Sequence, residues 1–379
     1  MKFLLLNSEH PPIGGGAGNA SANIARQLVL QGHDVVLLTV RFGDFLRDEM
    51  WKGVRIIRVP SLRKRLDRSG AFEQVSFALG ATWALRSVLK GFRPDISIAF
   101  FGVPSGPVAW ILHLTKGIPY IISMRGGDVP GFRPYDFGIY HQLIAPLLKI
   151  IWRDASALVA NSKGLRSLAL GFNPDADVKI IPNGVDLDEY IPEERVWSAP
   201  KLLSVGRVVY QKGLDLGMRA LAELRDLDWT WTIAGDGGAL PELKELAQEF
   251  GIAERIKFVG WQEKEQLHVL YKDANLFLFP SRHEGMPNAV LEAMASGLPV
   301  IATQIAGSEE LVVHNETGLL VPTEDWKMIT NDLKTLITDE VARKQMGAAS
   351  RIRVEAKYSW VSVASHYIHL AEEVLREKN

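Results

Sequence analysis

The chemistry in this chain concentrates at three places. In the first, Pro280-Ser281-Arg282-His283-Glu284-Gly285-Met286-Pro287-Asn288 runs from an apolar stretch into Ala289 to Ser296, and carries the pair Glu284-x7-Glu292. Proline is favoured at the first helical position, because its missing N–H would be unpaired there anyway, so Pro287 is expected to open a helix. That leaves the N–H groups near Met286 and Asn288 for a ligand. Glu292 then stands about five residues up the axis from Pro287, roughly 7 to 8 Å. Two carboxylates so spaced can contact different parts of one elongated ligand, and an acid at a strand's C-terminal edge commonly accepts hydrogen bonds from ribose or sugar hydroxyls.

The second place is Gly206-Arg207 with Lys212-Gly213 just beyond, again after an apolar stretch. Two cations beside a glycine that opens a helix suit a diphosphate better than a neutral ligand. The competing reading is a solvated basic loop. The third is Gly14-Gly15-Gly16-Ala17-Gly18, where backbone N–H groups and a helix N-terminus can approach a phosphate. A dinucleotide fingerprint is not met, since Gly14-x-Gly16 is followed by Asn19 and Thr39-Val40-Arg41 stands where an acid is required.

Each site needs a strand before it and a helix after it, and the pattern supplies both. Residues 2 to 6, 34 to 40, 54 to 59, 95 to 101, 120 to 123 and 157 to 160 are apolar and largely β-branched, with helical spacing between several of them. The rhythm restarts after Pro200 with strands at 202 to 205, 229 to 234, 257 to 259, 276 to 279, 300 to 302 and 318 to 321. Helices are expected at 213 to 224, 239 to 250, 264 to 272 and 288 to 296. Such alternation implies parallel sheets covered on both faces, one in each of two α/β domains. The hinge is expected in the proline-bearing segment 182 to 200. The domains are expected at 1–190 and 191–358, with a final helix over 359–379, apolar at Val361, Val363, Tyr367, Leu370 and Val374, packing back on the first.

At 379 residues the length fits two domains, and 47% hydrophobic with 23% charged residues is the composition of a globular protein. With no cysteine, disulfides, thiolate metal sites and a cysteine nucleophile are excluded. The net charge of −1 argues against a general nucleic-acid partner, although residues 1 to 190 carry 22 Lys and Arg against 16 Asp and Glu. The opening apolar run is too short for a signal peptide and no run approaches a spanning helix, so the expected location is the cytosol, with a peripheral membrane contact through the basic first lobe compatible.

Five motifs in order resemble the group 1, or GT4, retaining glycosyltransferases of the GT-B fold. They are Gly206-Arg207 with Lys212-Gly213, Ile233-Ala234-Gly235-Asp236-Gly237, Val259-Gly260, Glu284-x7-Glu292, and Ala293-Met294-Ala295-Ser296-Gly297-Leu298-Pro299-Val300. Asn161-Ser162, Pro182-Asn183-Gly184-Val185-Asp186 and Thr317-Gly318-Leu319-Leu320-Val321 extend the likeness over nearly the whole chain. The resemblance implies two Rossmann-like doubly wound domains facing across a cleft, the first for the acceptor and the second for a nucleotide-sugar donor. Arg207 and Lys212, after Gly206, would hold the diphosphate, with Gly15 and Gly16 closing over it. Glu292 would take the ribose, Glu284 with Gly285, Met286 and Asn288 the sugar, and Val259 and Gly260 the base. The implied reaction retains anomeric configuration and needs no cofactor and no metal. The acceptor would be a glycan, a lipid-linked sugar or a small molecule, in glycan, glycolipid or envelope polysaccharide synthesis.

Relatives often carry His-Gly-x-Asp where this chain has Arg125-Gly126-Gly127-Asp128. Arg125 can donate to a hydroxyl or phosphate but cannot act as a base. Asp128 is the candidate to orient an acceptor hydroxyl, against the alternative that it caps a turn. The Asp-x-Asp pairs at 175/177, 186/188 and 226/228 and the histidines His10, His113 and His141 are read as structural or surface groups, not metal ligands. Arg55, Arg58, Arg63, Lys64, Arg65 and Arg68 precede Phe72, Val75, Leu79, Trp83, Leu85, Val88 and Leu89, which reads either as a lipid or phosphate contact or as a basic loop before a core helix. Two other functions fit a similar architecture, a nucleotide-sugar 2-epimerase and a non-catalytic nucleotide-sugar-binding subunit.

Overall fold

A computed structural model of the chain describes residues 1–66, 69–132, 134–197 and 200–378, with 134–137 described as backbone only. Contacts divide it into two units, Met1–Asn183 with the last helix, and Gly184–Ser359. The segment 182 to 200, read as the hinge, contains the passage from Asn183 to Gly184, and its Ser198 and Ala199 lie outside the described residues.

The first unit runs β1 (Lys2–Leu6), α1 (Gly16–Leu30), β2 (Asp34–Val40), β3 (Asp48–Trp51), β4 (Val54–Val59), α2 (Ala71–Gly91), β5 (Ile96–Phe100), α3 (Gly106–Lys116), β6 (Tyr120–Ser123), α4 (Pro134–Asp154), β7 (Ala157–Ala160), α5 (Lys163–Phe172) and β8 (Val178–Ile180). Among the described residues the sheet order is β3-β4-β2-β1-β5-β6-β7-β8, parallel except for β3 against β4. The registers Lys2↔Asp34 and Phe3↔Ile96 put β1 at the centre. Both faces of this sheet are covered, which is why its strands are continuous apolar runs and not alternating ones. One face takes Phe77 and Leu85 of α2, Val108 of α3, Leu148 and Ile151 of α4 and Leu165 of α5. The other takes Ile24 and Leu28 of α1 and the last helix, Trp360–Lys378, through Trp360, Val363, Tyr367, Leu370 and Val374. Val361, grouped with these by its spacing, is exposed instead.

The second unit runs β9 (Lys201–Val205), α6 (Leu214–Ala222), β10 (Thr230–Ala234), α7 (Leu240–Glu249), β11 (Ile256–Gly260), α8 (Lys264–Asp273), β12 (Leu276–Phe279), α9 (Asn288–Ala295), β13 (Val300–Thr303), α10 (Ser308–Leu311), β14 (Gly318–Val321), α11 (Trp326–Thr338) and α12 (Glu340–Lys357), after which the last helix, α13, belongs to the first unit. Its sheet is all parallel in the order β11-β10-β9-β12-β13-β14. The chain winds outward from β9 through β10 to β11, then returns to β12 on the other side of β9. Connections from β9 and β12 therefore diverge to opposite faces, and the loops after Val205 and Phe279 are left at a topological switch point, where doubly wound sheets bind ligands. In the first unit the equivalent point lies between β1 and β5, at the loops after Leu6 and Phe100.

Candidate functional site

The two loops at the second unit's switch point are locked together at Gly213, whose φ of +61° favours glycine and where an added Cβ would lie 2.0 Å from the Pro280 carbonyl oxygen. A single helical turn over Tyr210–Lys212 precedes it. That turn aims Lys212 at the second loop, where its Nζ donates to Glu284 Oε1 at 2.6 Å. Ser281 Oγ donates to the same oxygen at 3.1 Å and Gln211 Nε2 reaches it at 3.3 Å. Oε2 carries no hydrogen bond among the described residues. Lys212 also lies 5.0 Å over the Phe279 ring and packs on Gly206, whose φ is +147°. Arg207 is exposed, and its guanidinium has neither an ion pair nor a hydrogen bond among the described residues. Gly206, Arg207, Lys212, Phe279 and Pro280 line one concavity.

Arg282, buried beneath, holds this arrangement. It pairs with Asp215 through two bonds of 2.8 Å, with Glu324 at 2.6 Å, donates to the Tyr210 carbonyl at 2.7 Å, and stacks 3.9 Å over the Tyr210 ring. Its own N–H donates to the Gln211 carbonyl. Both Arg282 and Gln211 were absent from the sequence candidates. A cation inside an apolar-to-helix loop was the available signal, but its partners Asp215 and Glu324 are 67 and 42 residues away and carried no mark of their own.

Pro287 is the residue before α9 and not its first residue, one position earlier than expected, with its carbonyl accepting from Val290 at 3.2 Å. Helix α9 places Glu292 beside Tyr271, whose Oη lies 2.9 Å from Oε2, while the Tyr190 and Tyr271 rings meet edge-on. Burial pushes the Glu292 carboxyl up to about 7, against the Tyr271 hydroxyl, the charge of Lys264 and the Tyr190 hydroxyl, which favour its ionised form. Val259 and Gly260 end β11, two strands from β9, and Gly260 accepts from the Gly235 N–H at 2.7 Å. Gly285, Met286 and Asn288 stand between Glu284 and Glu292, with Met286 buried.

In the first unit, α1 begins at Gly16 with Gly15 as its N-cap. Where a phosphate was expected, the chain supplies its own anion. Glu9 Oε2 accepts from the Gly15 N–H at 3.2 Å, and a Cβ on Gly14 would lie 2.4 Å from the Glu9 carboxylate. The carboxylate takes the favourable end of the helix dipole.

Arg125 and Asp128 are turned inward. Arg125 donates to Asn183 Oδ1 at 2.7 Å and to Tyr367 Oη at 3.4 Å, lies 4.8 Å over the Phe100 ring, and burial lowers its pKa. Tyr367 is held in turn by Ser123 at 2.7 Å. Both terminal nitrogens are engaged within the unit and Nε is buried, so Arg125 positions its loop and α13 and is not offered to a donor sugar as the sequence reading expected. Asp128, 2% exposed, accepts from the N–H groups of Gly102, Arg125 and Gly126 at 2.7 to 3.0 Å. Desolvation raises its pKa despite these amides. The turn-capping alternative describes it better than the orientation of an acceptor hydroxyl does.

Of the six cations read as one basic stretch, Arg55 pairs with Asp48, Arg58 is buried against Glu49, and Arg63 is buried on the carbonyls of Ser8, Arg65 and Leu66. Burial of Arg58 and Arg63 removes them from any headgroup surface. Lys64 and Arg65 are exposed, and Arg68 lies outside the described residues.

The family model of glycosyl transferases group 1 matches residues 191–353, and that of a glycosyl transferase 4-like domain matches residues 15–184. A GDP-mannose-dependent alpha-(1-6)-phosphatidylinositol monomannoside mannosyltransferase of Mycobacterium tuberculosis is 32% identical over 96% of this chain and 96% of its own. The chain is a group 1 glycosyltransferase. A glycogen synthase of Mycobacterium tuberculosis is 25% identical over 96% of this group 1 glycosyltransferase and 93% of its own length. Among solved structures, sucrose-phosphate synthase from Thermosynechococcus elongatus superposes with a TM-score of 0.86 at 22% identity, covering 99% of each chain. HepE from Anabaena, in complex with UDP and glucose, gives 0.76 at 19% over 98% of this chain and all of its own. The group 1 glycosyltransferase thus has the GT-B fold and is a transferase. Among its described residues no three or more His, Cys, Asp or Glu gather as a metal-binding group, and no helix is long and apolar enough to cross a membrane.

Proposed function

We propose that this glycosyltransferase moves a hexose-type unit from a UDP- or GDP-sugar to an acceptor hydroxyl with retention of anomeric configuration. The observation that carries the reading is the pairing, at one switch point, of an unpartnered Arg207 with a Lys212 already held by Glu284. Breaking the anomeric C–O bond leaves charge growing on the diphosphate and an oxocarbenium-like sugar. Cations at the leaving oxygens, Lys212 held beforehand by Glu284 and Arg207 closing on them from the same loop, stabilise that state more than the ground state. In this account Gly206, Arg207 and Lys212 hold the diphosphate and Glu292 accepts from the ribose hydroxyls. Glu284, through Oε2, and the Gly285 to Asn288 loop hold the sugar, and Val259 with Gly260 border the base. The acceptor oxygen attacks from the face the leaving group departs, and its proton passes to the departing phosphate oxygen, so no protein base is required. Two cations of the chain do at the diphosphate what a divalent ion would do, and the reaction proceeds without metal.

Support for a nucleotide donor also comes from named relatives: the mannosyltransferase is GDP-mannose-dependent, HepE is seen with UDP and glucose, and a starch synthase IV of Arabidopsis thaliana is seen with ADP and acarbose. We assign the acceptor, a glycan, lipid-linked or small molecule, to the first unit. The test is proton NMR of the product made from an α-linked donor: an α-linkage is expected, and a β-linkage overturns retention.

A further inference from the structure

Helix α2 is apolar on two opposite sides. Phe77, Ala81, Leu85 and Val88 recur at helical spacing and are buried on the sheet. Phe72, Val75, Leu79 and Trp83 form a second stripe at the same spacing, and it points to solvent, with Phe72 86% and Trp83 68% exposed. The core-helix reading of this stretch accounts for the first stripe and not for the second. Helix α4 repeats the arrangement: Leu148 and Ile151 face the sheet, while Ile139, Leu143, Leu147 and Ile150 line its outer side, the first two 77% exposed.

Both helices cover the same face of the same sheet. They are joined by Tyr140 Oη donating to Gln74 Oε1 at 2.9 Å, beside Ile139 and Val75 respectively. The two outer stripes thus belong to one surface, larger than the scattered single side chains that need no explanation. Cations border it. Lys64 and Arg65 are exposed ahead of α2, and Arg86 and Lys90 follow Trp83 on the same exposed side; none forms an ion pair or a side-chain hydrogen bond among the described residues, and only the charge of Lys64 acts on a nearby acid, Glu73. The acids described on the two helices are engaged, Glu73 by the N–H groups of Lys64 and Gly70, Asp154 by Trp110 and Arg153.

We propose that the outward faces of α2 and α4 dock on an anionic lipid bilayer, the apolar stripes entering the interface and the four cations meeting headgroup phosphates. An apolar face flanked by unpaired positive charge is the chemistry of an interfacial helix, and neither helix is long and apolar enough to span. A second copy of the chain suits the face less well, because a two-fold contact brings each patch, with its cations, against itself. The inference is separate from the donor reading, which the nucleotide affinity of the same variants reports.

The experiment is sedimentation with vesicles of phosphatidylcholine mixed with phosphatidylglycerol, whose anionic headgroups attract polybasic segments. The parent protein should sediment, less with phosphatidylcholine alone or in high salt. The triple variant Phe72→Ser, Leu79→Ser, Trp83→Ser should lose at least about tenfold in vesicle affinity, as should Ile139→Ser with Leu143→Ser, while melting and nucleotide binding are kept. Lys64→Glu with Arg65→Glu, which touches no packed side chain, should weaken binding to the anionic vesicles alone. Failure of the parent to sediment, or equal sedimentation of all variants, overturns the proposal. So does a dimer in analytical ultracentrifugation that these variants dissociate while vesicles go unbound.

Discussion

Lys212 Nζ and Glu284 Oε1 lie 2.6 Å apart with each side chain about one-sixth exposed, so the loop after β9, proposed to hold the diphosphate, is already tied to the loop after β12, proposed to hold the sugar. Neither can be removed without disturbing the other. Lys212→Ala is expected to lower kcat/KM by about 100- to 1000-fold, the range for losing a preorganised group at a developing anion. With Glu284→Ala the double variant should fall well short of the product of the two single losses, because the first removal has already broken the contact. Multiplicative losses would mean the two act independently.

Glu292 is expected to make stability depend on pH. Its carboxyl is raised in the fold to about 7 from 4.5, so between these values the folded state keeps a proton that the unfolded state has lost. Its contribution to stability therefore declines as pH rises through that window and is constant on either side. Urea denaturation at pH 5 and pH 8 should show this component in the parent and not in Glu292→Gln. A ribose hydroxyl bonds a carboxylate more strongly than a neutral carboxyl, so nucleotide affinity should rise with pH up to about 7, with proton release visible as a buffer-dependent calorimetric enthalpy. A flat profile in the parent would remove Glu292 from the ribose.

Arg282 touches no proposed ligand, yet both loops hang on it. Arg282→Met leaves Asp215 and Glu324 without their cation. As those acids are 29% and 57% exposed, the loss should stay below that of a fully buried pair, at about 1–3 kcal/mol. Activity should fall along with stability, and Arg282→Lys should restore little, lacking the paired geometry. Urea unfolding followed beside kcat/KM checks both.

Arg125 separates positioning from ligand contact. Arg125→Ala removes the bonds to Asn183 and Tyr367, so it should lower the melting temperature by a few degrees while leaving UDP or GDP affinity unchanged. Weakened nucleotide binding with an unchanged melting temperature would return Arg125 to the donor.

The order of strands and helices could be read from the sequence because buried parallel strands are apolar throughout, and Leu276 to Phe279 or Val300 to Thr303 have no other plausible place. Strands β3 and β8 escaped because short edge strands bury little: Asp48–Trp51 alternates between exposed and half-buried residues, and Val178–Ile180 buries only its first. Arg207, Lys212 and Glu284 were legible as charges next to glycines at strand ends. What spacing could not convey was engagement. Arg63 and Arg125 look like Lys64 and Arg207 in one dimension, and Asp128 looks like any acid beside a glycine; only the fold shows that Arg63, Arg125 and Asp128 are occupied by backbone or neighbouring side chains. The same limit merges the two stripes of α2: in sequence Phe72, Val75, Leu79 and Trp83 are named together with Leu85 and Val88, and only the fold shows the first four exposed and the last two buried.

On the proposed function, Arg207 binds the diphosphate of a nucleotide donor without a metal. Calorimetric titration of the parent and of Arg207→Ala with UDP, GDP and ADP, all in EDTA, tests it most directly. One nucleotide should bind the parent, and its affinity should drop at least about tenfold in the variant, as expected for loss of a charge-assisted contact. Equal affinity in the two proteins, or binding that appears only when a divalent ion is restored, would remove Arg207 from a metal-free diphosphate site.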